Sequence, residues 1–175
     1  MRTQYPTYVD NCTNLSLRDA FSLKIWGGTT FDIAMRLLYK CHWERIKTLR
    51  NKVPQVSFQM MLCGINTMGY TNYPDNLVQK FCKQASKYSV EILRIFDSIN
   101  NTEKLKLGVD AIVSTSGFME GNLYYTGGVL DTNKGKCDIE YYINVTSDLA
   151  SMGVHYLSVK DMAGLLTTRA ATMLV

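Results

Sequence analysis

Five short apolar runs, each followed by turn-forming residues and then by a helical pattern, constrain the fold of this chain more than any other feature. The runs are typical of strands and cover 21–26, 57–63, 91–96, 119–125 and 156–160. Strands that alternate with helices of about 10 to 15 residues predict β-α units and a parallel sheet. Neither a glycine-rich dinucleotide fingerprint nor a Walker loop is present, so a nucleotide-binding doubly wound fold loses its support.

The remaining candidate is a (β/α) barrel, which requires eight units and typically about 250 residues. Only five units are visible in these 175 residues. The predicted fold is therefore α/β, an incomplete TIM (β/α)8 barrel containing about strands two to six with their helices. We expect one partial domain over 1–175, with an irregular lead-in over 1–20.

The helical patterns predict where helices begin and which side chains face inward. Thr29 or Thr30 is expected to cap the first helix, with Asp32 in its first turn. A helix is also expected over 138–152, and Thr167 or Thr168 is expected to cap a last one. The expected inner faces are Phe31, Met35 and Leu38; Leu77, Phe81, Ala85 and Tyr88; and Leu105, Val109 and Ile112.

Composition and charge argue against several classes of protein. The chain has 19 Lys and Arg residues and 15 Asp and Glu residues, which gives a net charge of only +4. Because the basic residues are also scattered along the sequence, we expect no nucleic-acid or anionic-membrane partner. No apolar run approaches the roughly 20 residues of a membrane span, and no targeting segment is expected in this chain. The five cysteines are widely spaced and form no Cys-x-x-Cys pair, which indicates a reducing compartment.

The last predicted strand ends in a charged pair, Lys160-Asp161, followed by Gly164. In a parallel barrel, catalytic residues lie at the carboxyl ends of the strands. The pair is therefore a candidate for the functional site, and a solvated pair at a strand end explains the same pattern equally well.

Several longer segments resemble the carboxyltransferase domain of pyruvate carboxylase. The matching segments are 21–32, 69–76, 94–98, 124–127 and 159–166. They occur in unbroken order over nearly the whole chain, and the similarity weakens only before Phe21. Oxaloacetate decarboxylase and transcarboxylase share this domain, but the motif Thr-Asn-Tyr-Pro-Asp-Asn at 71–76 is more similar to pyruvate carboxylase.

The resemblance implies a TIM barrel that transfers a carboxyl group from carboxybiotin to pyruvate, giving oxaloacetate for anaplerosis and gluconeogenesis. Biotin would be attached to a separate carrier domain, and a biotin carboxylase domain would be a further partner in a tetrameric, biotin-dependent ligase. The family location would be the mitochondrial matrix for an animal protein and the cytoplasm for a bacterial one.

Three residues take site positions through this resemblance. Lys160 matches a carbamylated lysine that ligates a divalent metal such as zinc or manganese, because carbamylation converts a cation into an oxygen ligand. Tyr70 matches a tyrosine beside the pyruvate pocket, where its phenol can form a hydrogen bond. Cys63 stands where the family has an arginine that holds the pyruvate carboxylate, and this change is expected to cost about 2–5 kcal/mol of binding.

Other family features are missing or altered in this chain. The aspartate ligand of the metal belongs upstream of the matched region, where Arg18-Asp19-Ala20 is a coincidental echo, and the two histidine ligands belong beyond it. No complete catalytic or metal site is therefore expected here. Lys24 replaces a family glutamate and Gly128 an aspartate, whereas Asp97 is retained and could cap its own loop or act in catalysis.

We expect the chain to be inactive by itself and to work as part of a longer pyruvate carboxylase. One alternative is a truncated or degenerate fragment without catalysis. Another is a subunit of oxaloacetate decarboxylase or transcarboxylase.

Overall fold

A parallel, five-stranded sheet forms the centre of the chain. The structure, a computed structural model, describes residues 20–63, 72–130 and 136–175, and within helix 28–36 the side chains of residues 28, 29 and 32 are not described. The strands pair in chain order, each parallel to the next. They are β1 Ser22–Trp26, β2 Ser57–Leu62, β3 Ile92–Ile95, β4 Phe118–Tyr125 and β5 Tyr156–Asp161. This arrangement confirms the predicted incomplete barrel.

Helices in the described part of the chain follow the strands. They are α1 Gly28–Arg36, α2 His42–Lys52, α3 Asp75–Lys87, α4 Thr102–Val113, α5 Ile139–Ser151 and α6 Thr168–Leu174. The sequence pattern did not reveal α2. Its buried stripe consists of only His42, Ile46 and Leu49, and a stripe that begins with histidine in a polar segment gives a weak apolar period.

Two of the helix starts agree with prediction and one does not. The Asp138 side chain caps α5 by accepting a hydrogen bond from the Tyr141 amide at 2.9 Å, and Thr167 caps α6 through the Ala170 amide at 3.3 Å. The predicted cap of α1 by Thr29 or Thr30 is wrong. Gly27, in extended conformation, ends the strand and is itself the N-cap, so the helix begins before either threonine.

The predicted inner faces are correct for α4 and rotated for α3. Leu105, Val109 and Ile112 are buried as expected. On α3, Val78 and Cys82 are buried beside Ala85, whereas Leu77 is 44% exposed. Small side chains let α3 lie close to the sheet and to α4, so its larger residues stay at the rim. On α1, Ala34 is buried while Met35 is exposed, and Leu38 lies beyond the end of the helix and is also exposed.

The two faces of the sheet differ in character. The helix-facing side carries fully buried apolar residues, namely Phe58, Met60, Leu62, Leu93 and Ile95. A register shift between Lys24 and Trp26 pairs Lys24 with Gln59 but Trp26 with Met60. Because of this bulge, Trp26 joins the helix-facing core and Lys24 stays on the opposite face.

The sheet curls so that this opposite face is concave. The ring of Phe21, just before β1, contacts the ring of Tyr156 on β5 with centroids 5.8 Å apart. Tyr156 also lies near Phe118, at 6.2 Å. Side chains of the two outermost strands therefore meet across the amino-terminal end of the concave face, and the opposite end forms an open mouth.

Candidate functional site

Lys160 lies near the carboxyl end of β5, at the mouth of the concave face. Strand pairing aligns it with Tyr124 of β4. Its ammonium nitrogen lies 3.3 Å from the centroid of the Phe96 ring and 3.7 Å from the sulfur of Met61. The side chain therefore spans the concave face towards β2 and β3, and a cation–π contact holds it there.

The surroundings of Lys160 disfavour its charged form. Burial lowers the pKa of the ammonium group, and the positive charges of Lys24 and Arg94 lower it further, while Cys63 acts in the opposite direction. At a given pH, the neutral amine is consequently a larger fraction of Lys160 than of an exposed lysine. An amine in its neutral form is a nucleophile.

Cys63 follows β2 directly and is half-buried at the same mouth. Burial raises the pKa of its thiol, Lys160 and Lys24 lower it, and Asp97 raises it. The thiol thus lies within the electrostatic reach of Lys24 on β1, Lys160 on β5 and Asp97 just after β3. The structure brings together two of the three predicted site positions, Cys63 and Lys160, and the third, Tyr70, lies outside the described residues.

Asp161 and Asp97, which lie in two of the matched segments, each accept hydrogen bonds from backbone amides of their own turn. The Asp161 carboxylate accepts hydrogen bonds from the amides of Leu166 at 2.9 Å and Leu165 at 3.0 Å, and these bonds lower its pKa. Asp97 accepts from the amides of Ile99 and Asn101, each at 3.0 Å. In the Lys160-Asp161 pair, Lys160 thus faces the mouth while Asp161 caps the following turn. Asp97 likewise caps its own loop.

A buried polar cluster below the mouth was not predicted. Arg94 on β3 forms an ion pair with Glu120 on β4 at 2.7 Å, and Glu120 also accepts a hydrogen bond from Gln59 on β2. The side chain of Glu120 is only 7% exposed. The signal was present in the sequence, since a charged residue interrupts each of the apolar runs 91–96 and 119–125.

The backbone conformation and the close surroundings of residue 128 favour glycine. Its φ angle is +86°, and a Cβ atom built on it would lie 2.5 Å from the carbonyl oxygen of Cys137. The aspartate expected from the resemblance would therefore require this loop to move.

The described residues do not by themselves suit a divalent metal. Among them, no group of three or more His, Cys, Asp or Glu residues could hold an ion. Two acidic residues of the strands and strand ends around this face are also engaged, since Asp97 caps a loop and Glu120 is paired with Arg94. In the same part of the chain, no helix has the length and apolar character needed to cross a bilayer.

Comparison with known proteins gives a consistent result, although no family model matches the chain. Mitochondrial pyruvate carboxylase of Rattus norvegicus is 46% identical over 170 residues, which is 97% of this chain and 14% of that protein. Pyruvate carboxylase of Komagataella pastoris is 42% identical over all 175 residues, or 15% of that protein. The Bacillus subtilis protein is 44% identical over 157 residues, or 90% of this chain. The chain thus spans about a seventh of the length of these relatives.

Solved structures give the same picture. The carboxyl transferase domain of Rhizobium etli pyruvate carboxylase, solved with pyruvate and biocytin, superposes with a TM-score of 0.90 at 40% identity. The match covers 99% of this chain and 29% of that domain. A structure of the Rhizobium etli enzyme with acetyl coenzyme A matches with a TM-score of 0.84 at 43% identity, covering 88% of this chain and 15% of that one.

Proposed function

Because this chain is a homologue of pyruvate carboxylase over a segment of the carboxyltransferase domain, we propose that it contributes to carboxyl transfer from carboxybiotin to pyruvate, giving oxaloacetate. It does so as barrel strands two to six, in one partial domain, of a longer biotin-dependent ligase. The observation that carries this proposal is that Lys160 reaches across one mouth of the curled sheet to within 3.7 Å of the Met61 sulfur, two residues before Cys63.

Lys160 is the metal-ligating residue in this proposal. As a carbamate it would offer oxygen donors to a divalent ion such as zinc or manganese, which would stabilise negative charge on the substrate. Its position at a strand end and its lowered pKa support this role. Because the described residues lack a set of further ligands, the aspartate and histidine ligands would come from other parts of a longer protein.

The substrate would lie above Lys160, between the ends of β2 and β3. The Tyr70 phenol would donate a hydrogen bond to pyruvate or biotin. Cys63 offers only a weak neutral donor where a guanidinium would form two charge-assisted bonds. We therefore propose that this chain supports pyruvate binding of reduced affinity.

The partners of such a segment follow from the same proposal. Biotin is attached to a separate carrier domain, which delivers carboxybiotin from a biotin carboxylase domain, and the complete protein is a tetramer. It is located in the mitochondrial matrix if the source is an animal and in the cytoplasm if it is a bacterium.

A second candidate is a degenerate fragment without catalysis, and the thiol at position 63 favours it. A chimera separates the two: residues 20–175 replace the matching segment of Bacillus subtilis pyruvate carboxylase, and pyruvate-dependent oxaloacetate formation is measured. We expect turnover that Lys160→Arg abolishes and the matched Lys47→Arg does not. If the chimera folds and is biotinylated but gives no turnover, and its Cys63→Arg variant gives none either, the result supports the degenerate fragment.

A further inference from the structure

The loop that follows β4, residues 126–128, lies at the mouth and contains two consecutive glycines. Strand pairing aligns Tyr125, the last residue of β4, with Asp161 of β5, so Thr126 begins the loop at this strand end. Gly127 and Gly128 have φ angles of +95° and +86°. Because glycine is the residue with the most backbone freedom, this loop holds one position only if contacts from other elements fix it.

Tyr142 on α5 supplies such contacts through its hydroxyl group. The hydroxyl donates a hydrogen bond to the Gly127 carbonyl oxygen at 2.8 Å. It accepts one from the Thr126 amide at 3.1 Å, and the Thr126 side-chain hydroxyl lies 3.3 Å away. The proton and the oxygen of the phenol are thus both used on two adjacent residues of the β4 loop.

The ring of Tyr142 is itself fixed, so its hydroxyl is a rigid anchor. The residue is 1% exposed, and its ring packs against those of Tyr125 and Tyr141, with centroids 5.5 and 5.2 Å apart. A second contact comes from just before α5, since Gly128 lies so close to the Cys137 carbonyl oxygen that a Cβ atom would not fit. The α5 segment therefore holds the loop at two points.

The loops that follow the neighbouring strands are held in a different way. Asp97 after β3 and Asp161 at the end of β5 accept hydrogen bonds from amides of their own turns. Each of these carboxylates stabilises the turn that contains it, whereas the β4 loop takes its position from a side chain of α5. A change at Tyr142 can therefore move the β4 side of the mouth while the turns beside it stay in place.

We propose that Tyr142 is a positioning residue of the mouth: its hydroxyl holds the β4 loop in the position that a bound ligand requires. Without this hydroxyl the loop samples other positions, and a ligand binds only to the fraction of molecules in which the loop is in place. The apparent affinity falls by that fraction, whereas the ligand-bound state is unchanged. That the ligand is pyruvate rests on the proposed function, whereas the anchoring of the loop does not.

Amide hydrogen exchange tests the anchoring on the 175-residue chain. Tyr142→Phe removes only the hydroxyl and keeps the buried ring. We expect the Thr126 amide, followed by NMR, to exchange at least about tenfold faster in this variant, while the Leu123 amide within β4 changes no more than the global stability does. The matched control, Tyr141→Phe, removes a hydroxyl that contacts Asn100 at 3.0 Å and should leave Thr126 exchange unchanged. Unchanged Thr126 exchange in Tyr142→Phe overturns the proposal.

Pyruvate kinetics test the effect on binding in the Bacillus subtilis chimera that carries residues 20–175. We expect Tyr142→Phe to raise the KM for pyruvate at least about threefold with kcat nearly unchanged, and Tyr141→Phe to change neither. A merely structural loss would lower kcat by reducing the folded fraction and leave KM as it is. If Tyr142→Phe leaves KM unchanged, the positioning role is overturned and the proposed function stands. If the unmodified chimera gives no turnover, the proposed function fails, and Thr126 exchange alone decides whether Tyr142 holds the loop.

Discussion

The two faces of the sheet carry different kinds of side chain, although the same strands form both. Towards the helices, alternate residues such as Phe58 and Leu93 are completely buried in an apolar core. Towards the concave side, the intervening residues include charged and polar side chains, with Arg94 paired to Glu120 and Lys160 held against Phe96. The period of two in a strand separates the two sets.

The difference shows where stability and chemistry are located. The helix-facing side is closed by residues of this chain, so its stabilisation comes from area removed from water. The concave side balances charges in a partly open space, where each charge is stable only with its partner. The first face thus explains why the chain folds, and the second carries the residues of the proposed site.

The largest effect is expected from truncation on the helix-facing side. Phe58→Ala should lower the free energy of unfolding by about 3–5 kcal/mol, because a fully buried ring is lost and a cavity remains. The matched variant on the other face, Phe118→Ala, affects a ring that is 47% exposed and should cost much less. Urea unfolding compares the two, and equal losses would mean that the faces do not differ in this way.

A smaller effect is expected from the buried ion pair. Glu120→Gln leaves Arg94 without its counter-charge and should cost about 3 kcal/mol, the lower end for such pairs because Arg94 is 25% exposed. Glu103→Gln disrupts an exposed pair with Lys106 and should cost less than about 0.5 kcal/mol. If unfolding by urea gave the same loss for both, the concave cluster would contribute no more than a surface contact.

The smallest effect concerns pH and comes from the one histidine of the helix-facing side. His42 stacks on Phe31 at 4.3 Å and on Trp26 at 5.2 Å, and its Nε2 has no partner among the described residues. Burial lowers its pKa, as does Arg45, against the effect of a hydrogen bond with the Phe31 backbone. Since the folded pKa is depressed, stability is complete above the ordinary value of 6.5 and is lost as pH falls below it.

The loss should not exceed about 1.4 kcal/mol per pH unit, because one proton is involved. Urea unfolding between pH 8 and pH 5 measures it, with His42→Phe as the test variant and His155→Gln as the control. The His42→Phe variant should show a weaker acid loss than the unmodified chain. An unchanged pH dependence in that variant would assign the loss to other groups.

The sequence predicted features with a regular period and missed those that depend on packing. Strand order and the α4 face followed from alternation and from Leu105, Val109 and Ile112, which recur at helical spacing. The rotation of α3 could not be foreseen, because the burial of Val78 and Cys82 depends on how the helix packs against the rest of the core. The Arg94–Glu120 pair required the register of β3 with β4, which no single segment contains.

The sequence identified residues of the candidate site, but it did not predict which of them lie close together. The resemblance identified Cys63 and Lys160 separately, and only the curl of the sheet places both at one mouth with Lys24. That Asp161 and Asp97 serve their own turns also became visible only with the backbone amides in place.

We propose above that this mouth is a carboxyltransferase substrate site, with Cys63 at the position where the resemblance implies a carboxylate-binding arginine. The most direct measurement is the KM for pyruvate of the Bacillus subtilis chimera that carries residues 20–175, with and without Cys63→Arg. We expect Cys63→Arg to lower KM by at least about thirtyfold, the lower end of the 2–5 kcal/mol range, since two charge-assisted bonds are regained. An unchanged KM in a chimera that still turns over would contradict it.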